Sequence, residues 1–180
     1  MMTKREGGLR FPVVLVGFMG AGKTVVGWHL ARRLGARFHD LDQVIEGRAG
    51  CPIAEIFQTA GEPAFREQER SILAEFLARP DRPAVLATGG GVVEDPANRL
   101  ALREHGTTIF LDPPFRALLG RIRLAGPGRP LADGATDRAL RERWRARRPL
   151  YREVAAWTVT GSHSIESLVE RLARRLLRSA

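Results

Sequence analysis

Residues 11–24 read FPVVLVGFMGAGKT, an apolar run that breaks into a glycine-rich turn and ends on a lysine and a threonine. Gly17, Gly22, Lys23 and Thr24 match the phosphate-loop spacing G-x-x-x-x-G-K-[ST]. The spacing has a mechanical basis. A loop closing from a strand into a helix N-terminus turns successive backbone N–H groups toward one point, and glycine permits backbone angles that a side chain would obstruct. Such a point suits an oligophosphate. Lys23 is placed to reach β- and γ-phosphates, and the Thr24 hydroxyl is a hard oxygen of the kind Mg²⁺ accepts. Residue usage supports the motif: the chain holds 27 arginines but only two lysines, Lys4 and Lys23, so a strong preference for Arg has not reached the motif position.

Beyond this stretch, four further short apolar runs end in polar or glycine turns, at 36–39, 84–88, 107–111 and 156–160, and with 11–16 they predict five strands. Helical periodicity fills the intervals at 23–34, 41–50, 53–59, 63–78, 96–105, 114–124, 137–154 and 164–178. Strands alternating with helices predict an α/β fold with right-handed crossovers and a parallel sheet covered on both faces. Ligands in such sheets collect at the carboxyl ends of the strands. No internal repeat interrupts the pattern. LAGPGRPLADGA, at 124–135, is the one long Gly/Pro-rich loop, and a loop of that length inside a compact domain is more often functional than not.

At 180 residues, with no Pro/Gly/Ser linker, the chain reads as a single domain over 1–180 with a flexible tail at 1–10. The lone cysteine, Cys51, forms no internal disulfide and reads as a small buried residue, which fits a reducing cytoplasm. No apolar stretch approaches the roughly 20 residues needed to span a bilayer. MMTKREGGLR lacks the apolar centre of a signal peptide. A soluble, cytoplasmic, monomeric protein without a membrane partner is expected. A net charge of +9 and a pI near 11.3 raise nucleic acid as a partner. Distribution argues otherwise: in RLARRLLR, 171–178, leucines recur at helical spacing, so the arginines form the outer face of an amphipathic helix. The expectation is no nucleic acid, and a small anionic substrate together with ATP.

The predicted strand ends carry the remaining candidates. HDLD at 39–42 sets Asp40 and Asp42 two residues apart, pointing the same way if the chain stays extended. Beside a phosphate loop, one carboxylate can hold Mg²⁺, directly or through water, and the other can accept the proton of an attacking hydroxyl. Either can instead cap the following helix. LATGGGVV at 86–93 has no acidic residue where many phosphate-loop proteins hold their metal; Gly89, Gly90 and Gly91 offer bare backbone N–H groups or a tight turn. Arg66 and Arg147 lie in helical segments that a parallel fold can bring to one rim, where two arginine forks would bind an acid group, although in so Arg-rich a chain each taken alone reads as a surface residue before a ligand. Arg129, in the Gly/Pro loop, is placed to close over ATP and set positive charge against the transferring phosphoryl group.

Together these residues resemble shikimate kinase. The resemblance is carried by motifs in order: GFMGAGKT at 17–24, FHDLDQVIE at 38–46, IAEIFQTAGEPAFREQE at 53–69, LATGGGVV at 86–93, GRPLA at 128–132 and RRPLYREVA at 147–155. It implies a P-loop kinase fold of the nucleoside monophosphate kinase type, three-layered, with a five-stranded parallel sheet in order 2-3-1-4-5. It further implies transfer of a phosphoryl group from ATP to the 3-hydroxyl of shikimate. On this resemblance Gly20, Ala21, Gly22, Lys23, Thr24 and Val25 bind the ATP phosphates, with Thr24 on Mg²⁺ and Asp40 supporting the water shell of the metal. Asp42 holds the acceptor hydroxyl as base. Arg66 and Arg147 pin the shikimate carboxylate, Gly89 to Gly91 contact its ring hydroxyls, and Arg129 is the lid arginine. An adenine-stacking arginine falls at Arg121 or Arg123.

Three positions depart from the family pattern. Val25 replaces a second hydroxyl after GK[ST], leaving only a backbone N–H for the α-phosphate; the lid is rich in glycine and proline rather than charged residues; and TGSHSIES, 160–167, lacks the basic residue that some members place near adenine. Two other readings compete. A gluconate-type sugar-acid kinase or a nucleotide kinase would share the phosphate loop but would not need Asp42, Arg66, the triple glycine and Arg147 together. A catalytically silent nucleotide- or nucleic-acid-binding module would have no use for Lys23, Asp42 and Arg129.

Overall fold

The computed structural model describes residues 11–78, 83–124 and 134–178. Strands β1 (Val13–Val16), β2 (Arg37–Asp40), β3 (Ala84–Ala87), β4 (Thr107–Asp112) and β5 (Trp157–Thr160) form one parallel sheet in the order β2-β3-β1-β4-β5. β1 lies at its centre and is fully buried along its length, as a central strand covered on both faces must be. Helices α1 (Lys23–Leu34), α2 (Leu41–Ala49), α3 (Ile53–Thr59), α4 (Gly61–Leu77), α5 (Pro96–Glu104), α6 (Phe115–Leu124), α7 (Asp137–Val154) and α8 (Ile165–Arg178) complete a three-layered α/β/α fold. α1 packs on α8, while α4, α5 and α7 pack in series, the last two against β4.

Local chemistry fixes the element ends. Asp40 caps α2 through its carboxylate, Asp95 caps α5 with Pro96 in the first turn, and Thr136 caps α7. α4 starts at Gly61, two residues before the expected Pro63. The first N–H groups of a helix have no intrahelical acceptor, so a proline anywhere in the first turn costs nothing there. β2 runs to Asp40, one residue beyond expectation, because Asp40 still pairs with Ala87 of β3. Gly27 brings α1 onto β2: a Cβ there would stand 2.7 Å from the Phe38 ring.

Arg129, most of the expected lid at 124–135 and the tail at 1–10 lie outside the described residues. Among the described residues no helix is long and apolar enough to cross a membrane. Cys51 is only half-buried, at the turn between α2 and α3, rather than a core residue.

Candidate active site

β1 and its neighbour β3 send their onward connections in opposite directions across the sheet, to β2 and to β4, which opens a crevice beyond their carboxyl ends. A cavity of about 470 Å³ fills this crevice. Its walls come from four places: the loop after β1 (Met19 to Thr24), the end of β2 and start of α2 (Asp40, Asp42), the α3–α4 pair (Phe57, Phe65, Arg66, Glu69), and the turn after β3 (Thr88 to Gly91). Arg121 of α6 closes the side next to the loop.

The loop has the predicted form. Gly17, Gly20 and Gly22 have φ of 151°, 76° and 93°, and a Cβ on Gly17 would also stand 2.6 Å from the carbonyl oxygen of Leu111, so two of the motif's glycines meet separate demands. Gly22 is the N-cap of α1 and has no side chain to satisfy the first N–H groups of that helix, which leaves them for an anion. Lys23 is buried, its Nζ donating to the carbonyls of Gly17 at 2.8 Å and Phe18 at 3.2 Å. The ammonium is thereby held in the mouth of the loop.

The chain does not stay extended between the two aspartates: β2 ends at Asp40 and α2 begins at Leu41, so the two carboxylates have different settings. Asp40 accepts from the Thr24 hydroxyl at 2.7 Å through one oxygen and from the Asp42 backbone N–H at 3.1 Å through the other. It is a helix cap and a partner of the phosphate loop at once. Because Thr24 gives its proton to Asp40, its oxygen lone pairs remain available to a cation. Among the described residues no cluster of three or more His, Cys, Asp or Glu is placed to cage a metal. An ion held here would need one or two protein oxygens, with phosphate and water supplying the rest, as Mg²⁺ prefers. The donor set therefore fits Mg²⁺.

Asp42 lies in the first turn of α2, facing the cavity. Its carboxyl is raised above the ordinary carboxylate range by burial and by the nearby Asp40 charge, with Lys23 opposing. Gly89 gives it room: a Cβ there would stand 2.8 Å from Asp42 Oδ1 and 3.0 Å from Glu69 Oε1. Gly91 does the same for Arg66, with 2.6 Å to Nη1 and 2.8 Å to Cζ. Neither glycine has a positive φ. Space for the Asp42 and Arg66 side chains, rather than a backbone angle that only glycine adopts, explains them.

Arg66 donates to Glu62 at 3.0 Å and Glu69 at 2.8 Å. Burial works against its charge, but Glu69 and Glu62 outweigh that and hold it firmly protonated. Glu69 is fully buried, and its Oε1 has no hydrogen-bond partner among the described residues. Desolvation pushes its carboxyl up to about 7, against the pull of Arg66. Sequence reasoning missed Glu69, although a signal was present: it follows Arg66 by three residues on α4, and it stands on the stripe that also buries Phe65, Ile72 and Leu73.

Arg147 is not the surface residue that composition suggested. Its side chain is 5% exposed; Nη2 donates to Glu94 Oε2 at 2.6 Å and Nη1 to the Gly90 carbonyl at 3.3 Å. Tyr151, one turn later on α7, also donates to the Gly90 carbonyl, so α7 grips the glycine run from behind. Burial raises the Tyr151 hydroxyl well above its ordinary value, keeping it a donor. Arg147 and Arg66 do converge: the same Glu94 oxygen stands 3.5 Å from Arg66 Nη2. Arg147 itself does not line the cavity.

The structure also separates Arg121 from Arg123. Arg121 Nη1 donates to the Gly20 carbonyl at 3.1 Å, and the residue borders a second cavity of about 220 Å³ together with Gly22, Val25, Ser162, His163 and Ile165. Arg123 instead pairs with Asp137 at 2.7 Å, exposed to solvent.

The shikimate kinase family model matches residues 19–177. The chain is 42% identical to a shikimate kinase of Neisseria gonorrhoeae over 166 residues, covering 90% of this chain and 96% of that protein. It is 46% identical to one of Bordetella pertussis over 167 residues, covering 92% and 78% respectively. Among solved structures it superposes on shikimate kinase from Acinetobacter baumannii in complex with shikimate with a TM-score of 0.84 at 39% identity, covering 92% of both chains.

Proposed function

The chain belongs to the shikimate kinase family, and we propose from that premise how its own residues carry the γ-phosphoryl group of ATP to the 3-hydroxyl of shikimate. The products are shikimate 3-phosphate and ADP, on the route to chorismate and the aromatic amino acids. The observation that carries the reading is the Asp42 carboxylate, which faces the same cavity as Lys23 and Thr24.

The phosphates of ATP lie on the backbone N–H groups of Gly20 to Val25, at the N-terminus of α1. Lys23 turns from the loop carbonyls to the β- and γ-phosphates, where its hydrogen bonds carry charge at both ends. Thr24 and, through water, Asp40 hold Mg²⁺, which when bound screens the phosphate charge and draws electron density from the γ-phosphoryl group. Adenine lies in the second cavity beside Arg121. Val25 offers the α-phosphate only its backbone N–H.

Shikimate lies on the α3–α4 side, its ring against Phe57 and Phe65 and its carboxylate toward Arg66 and Arg147. Asp42 receives the proton of the 3-hydroxyl as the oxygen attacks phosphorus, and its raised proton affinity brings it closer to that task. The N–H groups of Gly89 to Gly91 meet the ring hydroxyls. Arg129, outside the described residues, takes the lid role. The chain supplies loop, base and both arginines itself, which supports a monomer as the working unit.

A coupled ADP-release assay with ATP and Mg²⁺, comparing shikimate, gluconate and no acceptor, tests this reading. ADP release that requires shikimate and yields a phosphorylated product is expected; ATP binding without shikimate-dependent turnover would overturn it.

A further inference from the structure

Glu94 is the last residue of a short 3₁₀ turn, Val92–Glu94, that follows the triple glycine. One oxygen of its carboxylate stands 2.6 Å from Arg147 and 3.5 Å from Arg66. That is where a carboxylate bound by both arginines must sit. We propose that Glu94 is an internal competitor for the acceptor's acid group, bridging Arg66 and Arg147 until the acceptor displaces it, and so setting the affinity for the acid substrate. The proposal rests on shikimate being the acceptor.

Three features support displacement rather than a fixed structural bridge. First, the pairing with Arg147 is single: Nη2 meets Glu94, while the buried Nε–H has no hydrogen-bond partner among the described residues. A carboxylate not tethered to the chain can take two parallel bonds from a guanidinium. Second, the Glu94 side chain is 41% exposed, so it can turn into water without the cost of stranding a buried charge. Its backbone stays fixed meanwhile, with N–H on the Gly91 carbonyl at 2.9 Å and C=O held by Arg99 at 3.1 Å. Third, Arg147 is buried behind Glu94 and does not line the cavity. While Glu94 bridges, the carboxylates of Glu62, Glu69 and Glu94 surround Arg66, and an incoming anion meets little net attraction. When Glu94 turns out, both guanidinium groups face the anion.

The test compares the wild type with Glu94→Gln, which keeps the shape and removes the charge. KM and calorimetric Kd are measured for shikimate and for its methyl ester, which lacks the anionic group. Shikimate KM and Kd are expected to fall about two- to fivefold, the size of a part-exposed ion pair, with kcat changing less and the methyl ester constants not following. The unliganded variant should melt at a lower temperature, because Arg147 loses its carboxylate, yet gain more from shikimate. An unchanged or raised shikimate KM in a variant that still binds ATP would overturn the proposal and leave Glu94 a structural strut. A wild type that fails to turn over shikimate would overturn the acceptor reading, and the proposal with it.

Discussion

The Thr24 hydroxyl donates to Asp40 Oδ2 over 2.7 Å, and the other oxygen of Asp40 caps α2. One carboxylate therefore ties the end of the phosphate loop to the helix that presents Asp42. The two duties can be separated by substitution. Asn caps a helix about as well as Asp, whereas Ala loses about 1 kcal/mol of capping. Asp40→Asn should melt near the wild-type temperature but need more Mg²⁺ for half-maximal rate, and Asp40→Ala should show both defects. A Mg²⁺ titration of turnover with parallel melts checks this; an unshifted Mg²⁺ requirement in both variants would confine Asp40 to capping.

Asp42→Asn should keep the fold and ATP binding while lowering kcat by about 10² to 10⁴, the usual contribution of a positioned base. Steady-state kinetics alongside calorimetric ATP binding separates chemistry from folding. A kcat near that of the wild type would remove Asp42 from the role of base.

Glu69 gives a pH signature. Its folded-state value of about 7 lies above the ordinary 4.5, so between these the folded chain holds a proton that the unfolded chain has lost. The stabilisation is complete below the unfolded value and is lost as the pH rises through the folded one. Wild-type Tm should decline from about pH 5 to pH 8 more steeply than that of Glu69→Gln, which carries no titrating group at this position. Parallel melting curves would show that Glu69 stays ionised throughout.

Gly91→Ala should raise the shikimate KM, because the new methyl group meets an Arg66 fork already fixed by Glu62 and Glu69. Overpacking costs about 1 kcal/mol or more, which at the acceptor site is roughly fivefold or greater. Gly47→Ala is the control: it lies inside α2, where an added Cβ would meet nothing within 4 Å among the described residues, and it should be neutral or stabilising. Equal effects from the two substitutions would show that space at Gly91 is not what positions Arg66.

Much of this was legible in the chain because the signals were local. The phosphate loop is a contiguous run whose spacing follows from backbone geometry, and α1, α3 and α7 lie at the residues that periodicity assigned. The acceptor side was harder to read. Arg147 and Glu94 are 53 residues apart, and no periodicity links an acidic residue after a glycine run to an arginine in a later helix. Composition misled as well: among 27 arginines, one that is buried and paired looks like any other until the fold places α7 behind the glycine run. Glu69 lay between these cases, with a local partner at three residues but a burial that only tertiary packing imposes.

Lys23, held against the carbonyls of Gly17 and Phe18, is also the sole lysine among the described residues. Nearly all the positive charge of the folded body thus sits on guanidinium groups, which do not acylate under conditions that modify amines. An amine-directed reagent consequently has one side-chain target there, inside the phosphate loop. Its rate of labelling becomes a direct gauge of whether that loop is covered.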